Sequence, residues 1–181
     1  KLLSFTDNRQ DAALQAGHMN DFVQVVLLRG ALVRALRNRD QLRFDELGSA
    51  VFDALDLAPE LFMKEAVGRG PGYEDARRTM IDLLEYRVLE DLARAWRVAQ
   101  PNLEQCGLLR IDYHGLAEIA GDDALWAGAP AIAAATAQRR ETVLRAVADH
   151  LRGVLVLDAP TLSEERTRSL VHRAAQGLCE P

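Results

Sequence analysis

The sequence predicts a mainly α-helical protein, a multi-helix bundle with two or three short strands. Three observations support this prediction: long stretches with apolar residues at helical spacing, capping patterns ahead of them, and only brief β-leaning runs between them. Hydrophobic residues make up 49% of the 181 residues and charged residues 27%. This balance is typical of a globular domain and excludes a disordered tail or a membrane protein.

The chain begins with a short apolar run, residues 1–6, that we expect to be a strand. A helix follows, because Asp7 and Gln10 form a capping-box pattern, and Gly17 is predicted to end it. A strand, a polar turn and a helix in succession are half of a βαβ unit. Since the other half is missing and no Met begins the sequence, we expect a fragment of a longer protein.

A second helix is predicted from residue 20 or 21 to about Asn38. Its apolar residues cover most of the cylinder, which indicates burial on nearly every side. Arg29 falls within the apolar arc, so we expect its side chain to snorkel or to pair with a carboxylate. Part of the surface of this helix is expected to pack against portions of the parent protein outside these residues.

Further helices are predicted at residues 45–57, 59–67, 73–98, 114–120 and 130–152. A last helix is predicted to begin at a capping box formed by Thr161 and Glu164 and to end at Gly177. Short strands are predicted at residues 108–113 and 154–157. These two strands would form a small hairpin like the wing of a winged-helix domain.

Residues 68–72 (Gly-Arg-Gly-Pro-Gly) invite comparison with a phosphate-binding loop. A plain turn is predicted instead, because no Lys-Ser/Thr pair follows and Pro71 lacks an N–H donor. The four histidines are not at zinc-ligand spacing, and Cys106 and Cys179 have no neighbouring His–Asp arrangement. We therefore predict no catalytic and no metal-binding residue, and the low cysteine count suggests a cytoplasmic protein.

Positive charge is concentrated in one arginine-rich segment. The whole chain has a net charge of −5, which argues against a surface coated all round with phosphate-binding charge. This net charge does not exclude a local stripe that binds a nucleic-acid backbone, and a solvated helix end is the alternative interpretation of the segment. The candidate stripe comprises Arg34, Arg37, Arg39 and Arg43. No apolar run approaches the ~20 residues that span a bilayer, so no membrane partner is expected.

Residues 1–16 (Lys-Leu-Leu-Ser-Phe-Thr-Asp-Asn-Arg-Gln-Asp-Ala-Ala-Leu-Gln-Ala) resemble motif IV of superfamily 2 helicases. In that family a strand of the second RecA-like domain ends in a Phe-x-x-(Ser/Asn)-Arg turn before a helix. The sequence is most similar to large bacterial DEAD/DEAH-box helicases, and residues 97–109 also resemble part of their insertion. The resemblance implies an incomplete RecA-like strand-turn-helix at 1–19 and a helical insertion at 20–181.

This resemblance implies an accessory helical domain of an ATP-dependent DNA or RNA helicase, which shapes the nucleic-acid path or docks a partner. ATP and Mg²⁺ are implied for the parent protein, a hydrolase. The fragment itself is expected to hold no cofactor and to be inactive alone, because it has no Walker loop, acidic box or arginine-finger motif. Its expected partners are nucleic acid, with DNA favoured over RNA, and the remaining helicase domains.

In such helicases motif IV neighbours the nucleic-acid strand, which makes Thr6, Asn8 and Arg9 candidate backbone contacts. The start of the following helix offers free N–H groups to an anion. Asp7 has the wrong charge for a phosphate and is expected to cap the helix.

Two other interpretations stay open. The net charge of −5, an acidic region at residues 85–91 and the apolar second helix also suit a protein–protein interaction module. The chain is alternatively an unrelated helical bundle. Binding to an oligonucleotide that weakens steeply with salt would indicate nucleic acid as the partner.

Overall fold

A computed structural model describes residues 9–66, 68–93 and 101–179, and these residues are mainly helical, as predicted. Their α-helices are α1 (Arg9–Arg39), α2 (Leu47–Leu55), α3 (Pro71–Leu92), α4 (Leu116–Gly121), α5 (Pro130–Ala133), α6 (Ala137–Gly153) and α7 (Glu164–Gly177). Two compact units are present. The first contains the described residues up to Val88 and from Pro160 onward, and the second is Leu89–Ala159.

Helix α1 is continuous where two helices were predicted. Gly17 does not end it, and the division predicted between residues 19 and 20 lies inside it. A glycine in a helix interior costs only about 1 kcal/mol relative to alanine, so the good helix formers around it continue the helix. The helix ends before Asp40, whose backbone is left-handed with a φ of 50°.

One face of α1 is buried in the first unit and another is exposed. Val25, Leu28 and Leu32 are buried on the side that packs against α2. Phe22 and Leu27, in contrast, are 47% and 57% exposed. Among the described residues, α2 packs against one side of this helix, and packing of its other apolar side against further parts of the parent protein stays a prediction. Arg29 is half-buried.

Helices α2 and α3 meet at a close backbone approach. A Cβ atom at Gly48 would lie 2.5 Å from the carbonyl oxygen of Ile81, so only glycine fits there. Beside this contact Phe52 packs edge-on against Phe62 at 5.5 Å between ring centroids, and Phe62 packs against Tyr73 at 6.2 Å. These aromatic contacts tie α2 and the start of α3 to the segment between them.

The helix predicted at residues 59–67 is wrong beyond its first turn. Pro59–Leu61 forms a 3₁₀ turn, after which Met63 makes an isolated antiparallel bridge with Leu178. The N–H group of Lys64 donates to the carbonyl of Gly177 at 3.1 Å. The backbone groups of Met63 and Lys64 pair with the end of α7, so they are not available for the hydrogen bonds of a continuing helix.

The long helix predicted at residues 130–152 is divided into α5 and α6. The division is made by Thr136, whose side chain accepts a hydrogen bond from the N–H of Arg139 at 3.4 Å and so caps α6. The helix predicted at residues 73–98 begins earlier, at Pro71, and is described as far as Leu92. Residues 94–98 lie outside the described part.

The strands predicted at residues 108–113 and 154–157 are not formed, so the winged-helix-like hairpin is wrong for the described residues. Leu155 is left-handed, with a φ of 58°, and the N–H of Val156 folds back to donate to a carbonyl of α6. The second segment thus closes the end of α6, and its backbone is unavailable to a partner strand. The strand predicted at residues 1–6 lies outside the described part of the chain.

Helix α7 ends at Gly177 as predicted, but its predicted cap is wrong. The N-cap residue is Ser163, and Thr161 lies earlier in a 3₁₀ turn. Thr161 is buried, and its hydroxyl donates to the carboxylate of Glu85 at 2.8 Å. The Thr161 hydroxyl thus donates to a half-buried carboxylate, whereas the predicted cap required it to accept from a backbone N–H at the start of α7.

Candidate nucleic-acid interface

The predicted arginine stripe lies at the C-terminal end of α1 and in the turn that follows. Arg37 and Arg39 occupy the last turn of the helix, and both are exposed. Unpaired carbonyl groups at this end of a helix create a negative potential that favours cations. The same position leaves both guanidinium groups directed to solvent, where they are accessible to an external anion.

Arg34 and Arg43 have partners within the first unit. Arg34 donates from Nη1 to the carbonyl of Ala54 at 3.0 Å, and this contact caps the last turn of α2. Arg43 donates from Nε to Asp45 at 3.1 Å. This hydrogen bond raises the pKa of Arg43 and lowers the pKa of Asp45. Both arginines are exposed, but their donors are partly used by the fold.

Arg37 and Arg39 differ from these two residues. Neither guanidinium group makes a hydrogen bond or an ion pair within the part of the chain that the structure describes. All their guanidinium donors are therefore available for an external anion. They are the strongest nucleic-acid-binding candidates of the stripe, because binding a phosphate would break no internal contact.

The motif IV-like candidates lie at the other end of α1. Thr6 and Asn8 are outside the described residues, and Arg9 is the first residue of the helix, described through its backbone. A helix of 31 residues is about 45 Å long at ~1.5 Å per residue. The structure thus separates Arg9 from Arg39 by about 45 Å, and the two candidate groups cannot bind the same phosphate.

A cationic cleft that the sequence did not predict lies in the first unit. It has a volume of about 850 Å³ and is bordered by the start of α3 and the end of α7. Its charged lining residues are Lys64, Glu65, Arg69, Asp75, Arg78 and Arg173. These residues come from two distant parts of the sequence, residues 64–78 and the end of α7, and local spacing does not signal that the two parts meet.

Two further arginines, both in the second unit, are structural. Arg140 and Arg152 are 5% and 6% exposed, and carbonyl or carboxylate oxygens surround each guanidinium group. Because their donors are used inside the unit, they are not candidates for binding a ligand.

The described residues contain no group of three or more His, Cys, Asp or Glu side chains arranged to hold a metal ion. Among these residues, too, no helix combines the length and apolar character that crossing a membrane requires. Cys106 is exposed, while Cys179 is half-buried and donates from Sγ to the carbonyl of Met63 at 3.0 Å.

Comparison with protein-family models, curated proteins and solved structures finds no match for this chain.

Proposed function

We propose that this chain is an accessory helical domain of an ATP-dependent helicase and that it contacts the nucleic-acid backbone through the C-terminal end of α1. The supporting observation is the pair of exposed arginines, Arg37 and Arg39, whose guanidinium groups have no partner among the described residues. Arginine binds phosphate through charge-assisted, often bidentate hydrogen bonds. The similarity of residues 1–16 to motif IV supports a helicase as the parent protein.

In this proposal α1 acts as a spacer along the nucleic-acid path. Contacts at its two ends would lie about 45 Å apart, which corresponds to about 13 base pairs of duplex at ~3.4 Å per pair. The domain shapes the path between these points. It carries out no catalytic step, since ATP and Mg²⁺ bind elsewhere in the parent. DNA is the favoured ligand, the remaining helicase domains are its partners, and the location is cytoplasmic.

The proposal is tested by measuring how salt affects binding to a fluorescently labelled single-stranded oligonucleotide and a forked duplex. The double variant Arg37→Gln/Arg39→Gln should bind more weakly than the parent chain. On single strands it should also make the negative slope of log affinity against log salt shallower by about 1.4, since each lost phosphate contact contributes ~0.7. DNA and RNA oligonucleotides of one sequence test the preference for DNA.

The matched control is the double variant Arg139→Gln/Arg168→Gln, which removes the same charge from exposed arginines elsewhere. Its affinity and salt slope should stay close to those of the unchanged chain. Equal losses in the two double variants would mean that net charge alone drives binding. That result, or no binding at low salt, contradicts the proposal.

A protein–protein interaction module is the second candidate function. It is favoured by four apolar side chains of α1 that are 47–57% exposed: Phe22, Val23, Val26 and Leu27. Apolar side chains clustered at a surface are typical of binding faces. The oligonucleotide assay separates the two functions, because this candidate predicts no binding even at low salt.

A further inference from the structure

We infer that the nucleic acid bound at the basic end of α1 is single-stranded there and that one of its bases stacks on Phe44. This inference rests on the proposed function and adds the form of the ligand and a second contact surface. Three features of the first unit support it: an exposed aromatic ring shortly after the last arginine of α1, a cleft beside that ring, and two arginines of the cleft whose guanidinium groups have no partner among the described residues.

Phe44 follows the arginine-rich end of α1 and begins a 3₁₀ turn, Phe44–Glu46. It is 41% exposed, although burying an aromatic ring contributes strongly to stability. Five extended residues span at most about 18 Å, so Phe44 lies within about 18 Å of Arg39. That distance corresponds to about five nucleotides of a stacked strand at ~3.4 Å each. One strand bound at Arg37 and Arg39 can therefore also reach this ring.

Phe44 lines a cleft of about 540 Å³ that lies wholly within the first unit. The other walls of this cleft come from α3, from the turn before α7 and from α7 itself. Because the ring forms part of the wall, a planar group that enters the cleft contacts it. Every base presents a planar face that can stack on an aromatic side chain. Only an unpaired base can enter, since the bases of a duplex are held inside the stack.

Two arginines of the cleft, Arg78 and Arg166, are available for phosphate groups. Both are exposed, and neither guanidinium group makes a hydrogen bond or an ion pair with any residue that the structure describes. They belong to α3 and α7, so they add cations to those at the end of α1. The phosphates that flank a base in the cleft can bind them without breaking an internal contact.

The cleft also contains three carboxylates, and each is engaged by the fold. Each accepts a hydrogen bond from a side chain: Asp45 from Arg43 at 3.1 Å, Asp82 from Arg173 at 2.8 Å, and Glu85 from Thr161 at 2.8 Å. With three arginines and three carboxylates in its lining, the cleft has no net charge. A neutral cleft suits an uncharged base, while the phosphates bind at the exposed guanidinium groups.

The first experiment measures binding of the full chain to a labelled single-stranded oligothymidine by fluorescence anisotropy. Phe44→Ala should weaken binding about tenfold, as the loss of stacking on one base does. The slope of log affinity against log salt should not change, because the ring carries no charge. Affinity for a blunt duplex of the same length should also stay unchanged. The matched control is Phe22→Ala, which removes a ring that is 47% exposed on α1 and should not affect binding.

Arg166→Gln tests the cleft separately from the ring. It should weaken binding to the single strand and make the negative salt slope shallower by about 0.7, the contribution of one phosphate contact. Arg168→Gln is the matched control, because it removes an exposed arginine of the same helix whose guanidinium is paired with Glu164. Its salt slope should equal that of the unchanged chain. Equal slopes for Arg166→Gln and Arg168→Gln would contradict a phosphate contact in the cleft.

Phe44→Trp gives a direct signal of stacking and also serves if Phe44→Ala is shown by circular dichroism to be unfolded. Its added fluorescence, measured against that of the unchanged chain, should be quenched when the oligonucleotide binds, whereas that of Phe22→Trp should not. The inference is overturned if Phe44→Trp is not quenched by a strand that binds, or if Phe44→Ala and Phe22→Ala weaken binding equally. It is also overturned if Phe44→Ala weakens duplex binding as much as single-strand binding.

These outcomes separate this inference from the proposed function. If Phe44→Ala has no effect while Arg37→Gln/Arg39→Gln weakens binding, the proposed function stands and the stacked base is excluded. If the unchanged chain binds no oligonucleotide at low salt, both are refuted.

Discussion

Arg152 donates from Nε to the hydroxyl of Tyr113 at 3.1 Å, and this hydroxyl donates in turn to Asp149 at 2.8 Å. The guanidinium also donates to the carbonyl of Leu92 at 3.0 Å and to Glu104 at 2.6 Å. Burial lowers the pKa of Arg152, but the hydrogen bond to Tyr113 and the charge of Glu104 outweigh it and raise the pKa. One buried cation thus connects α6 with three other parts of the second unit.

Replacing this cation should destabilise the second unit strongly. We expect Arg152→Met to lower the free energy of unfolding by about 3 kcal/mol, because Glu104 and Asp149 would lose the charge that compensates them. Urea denaturation followed by circular dichroism measures the change. The control is Arg145→Met, whose partner Asp112 is exposed and whose loss should cost about 1 kcal/mol or less. Similar losses in both variants would contradict the structural role of Arg152.

Arg140 joins the ends of two short helices. Its guanidinium donates to the carbonyls of Ala120 at the end of α4 and of Ile132 and Ala133 at the end of α5, and to the carboxylate of Asp123. We expect Arg140→Lys to destabilise the chain by about 2 kcal/mol, since an ammonium group cannot reach all these acceptors. Hydrogen exchange should become faster in α4 and α5.

The neighbouring residue provides a control for this substitution. Arg139 is exposed on the same helix, so Arg139→Lys should change stability by no more than about 0.5 kcal/mol. If Arg140→Lys and Arg139→Lys changed the hydrogen-exchange rates of α4 equally, Arg140 would not be the residue that holds the two helix ends together.

The contact between α2 and α3 predicts opposite effects for two glycine substitutions. Gly48→Ala should destabilise the chain by about 1–2 kcal/mol, because the added Cβ would lie 2.5 Å from a backbone oxygen of α3. Gly30 in α1 has no atom within 4 Å of the corresponding position. Gly30→Ala should therefore stabilise the chain by about 0.5–1 kcal/mol through helix propensity. Thermal denaturation of both variants checks the signs, and a stabilised Gly48→Ala would refute the close contact.

Glu85 should make stability depend on pH. Burial raises its pKa, the Thr161 hydroxyl opposes this, and the charges of Asp82 and Asp45 add to the increase. Because the folded chain binds this proton more tightly than the unfolded chain, stability falls as pH rises from the ordinary glutamate pKa of 4.5 through the raised value. Above that range the ionised carboxylate destabilises the fold.

The variant Glu85→Gln removes the charge and keeps an acceptor for Thr161. It should have a higher melting temperature than the unchanged chain at pH 7, and the difference should shrink as pH falls through the raised pKa of Glu85 towards 4.5. Melting curves between pH 4 and 7 measure this trend. Glu118→Gln, at an exposed carboxylate, should not reproduce it. A constant difference across the pH range would exclude Glu85 as the titrating group.

Helical class was predictable because the spacing of apolar residues is a local property. Several helix boundaries were not predictable. Gly17, for example, resembles a helix end, but whether a helix ends at a glycine depends on what packs around it. Residues 154–157 have the composition of a strand, yet the chain folds back against α6 there. A strand requires a partner strand, and local sequence does not reveal whether one is present. The accessibility of Arg37 and Arg39 follows from their position at a polar helix end. Structure alone shows that Arg34 and Arg43 have partners.

The order of apolar and charged residues by itself determined that this chain is helical, where most helices lie and that one segment is rich in arginine. Tertiary structure decided which of these charges remain accessible. Arg152 meets Glu104 across 48 residues of sequence, and Arg173 meets Asp82 across 91. Such contacts depend on how the helices pack, because a guanidinium group takes whichever oxygen the fold brings within hydrogen-bonding distance.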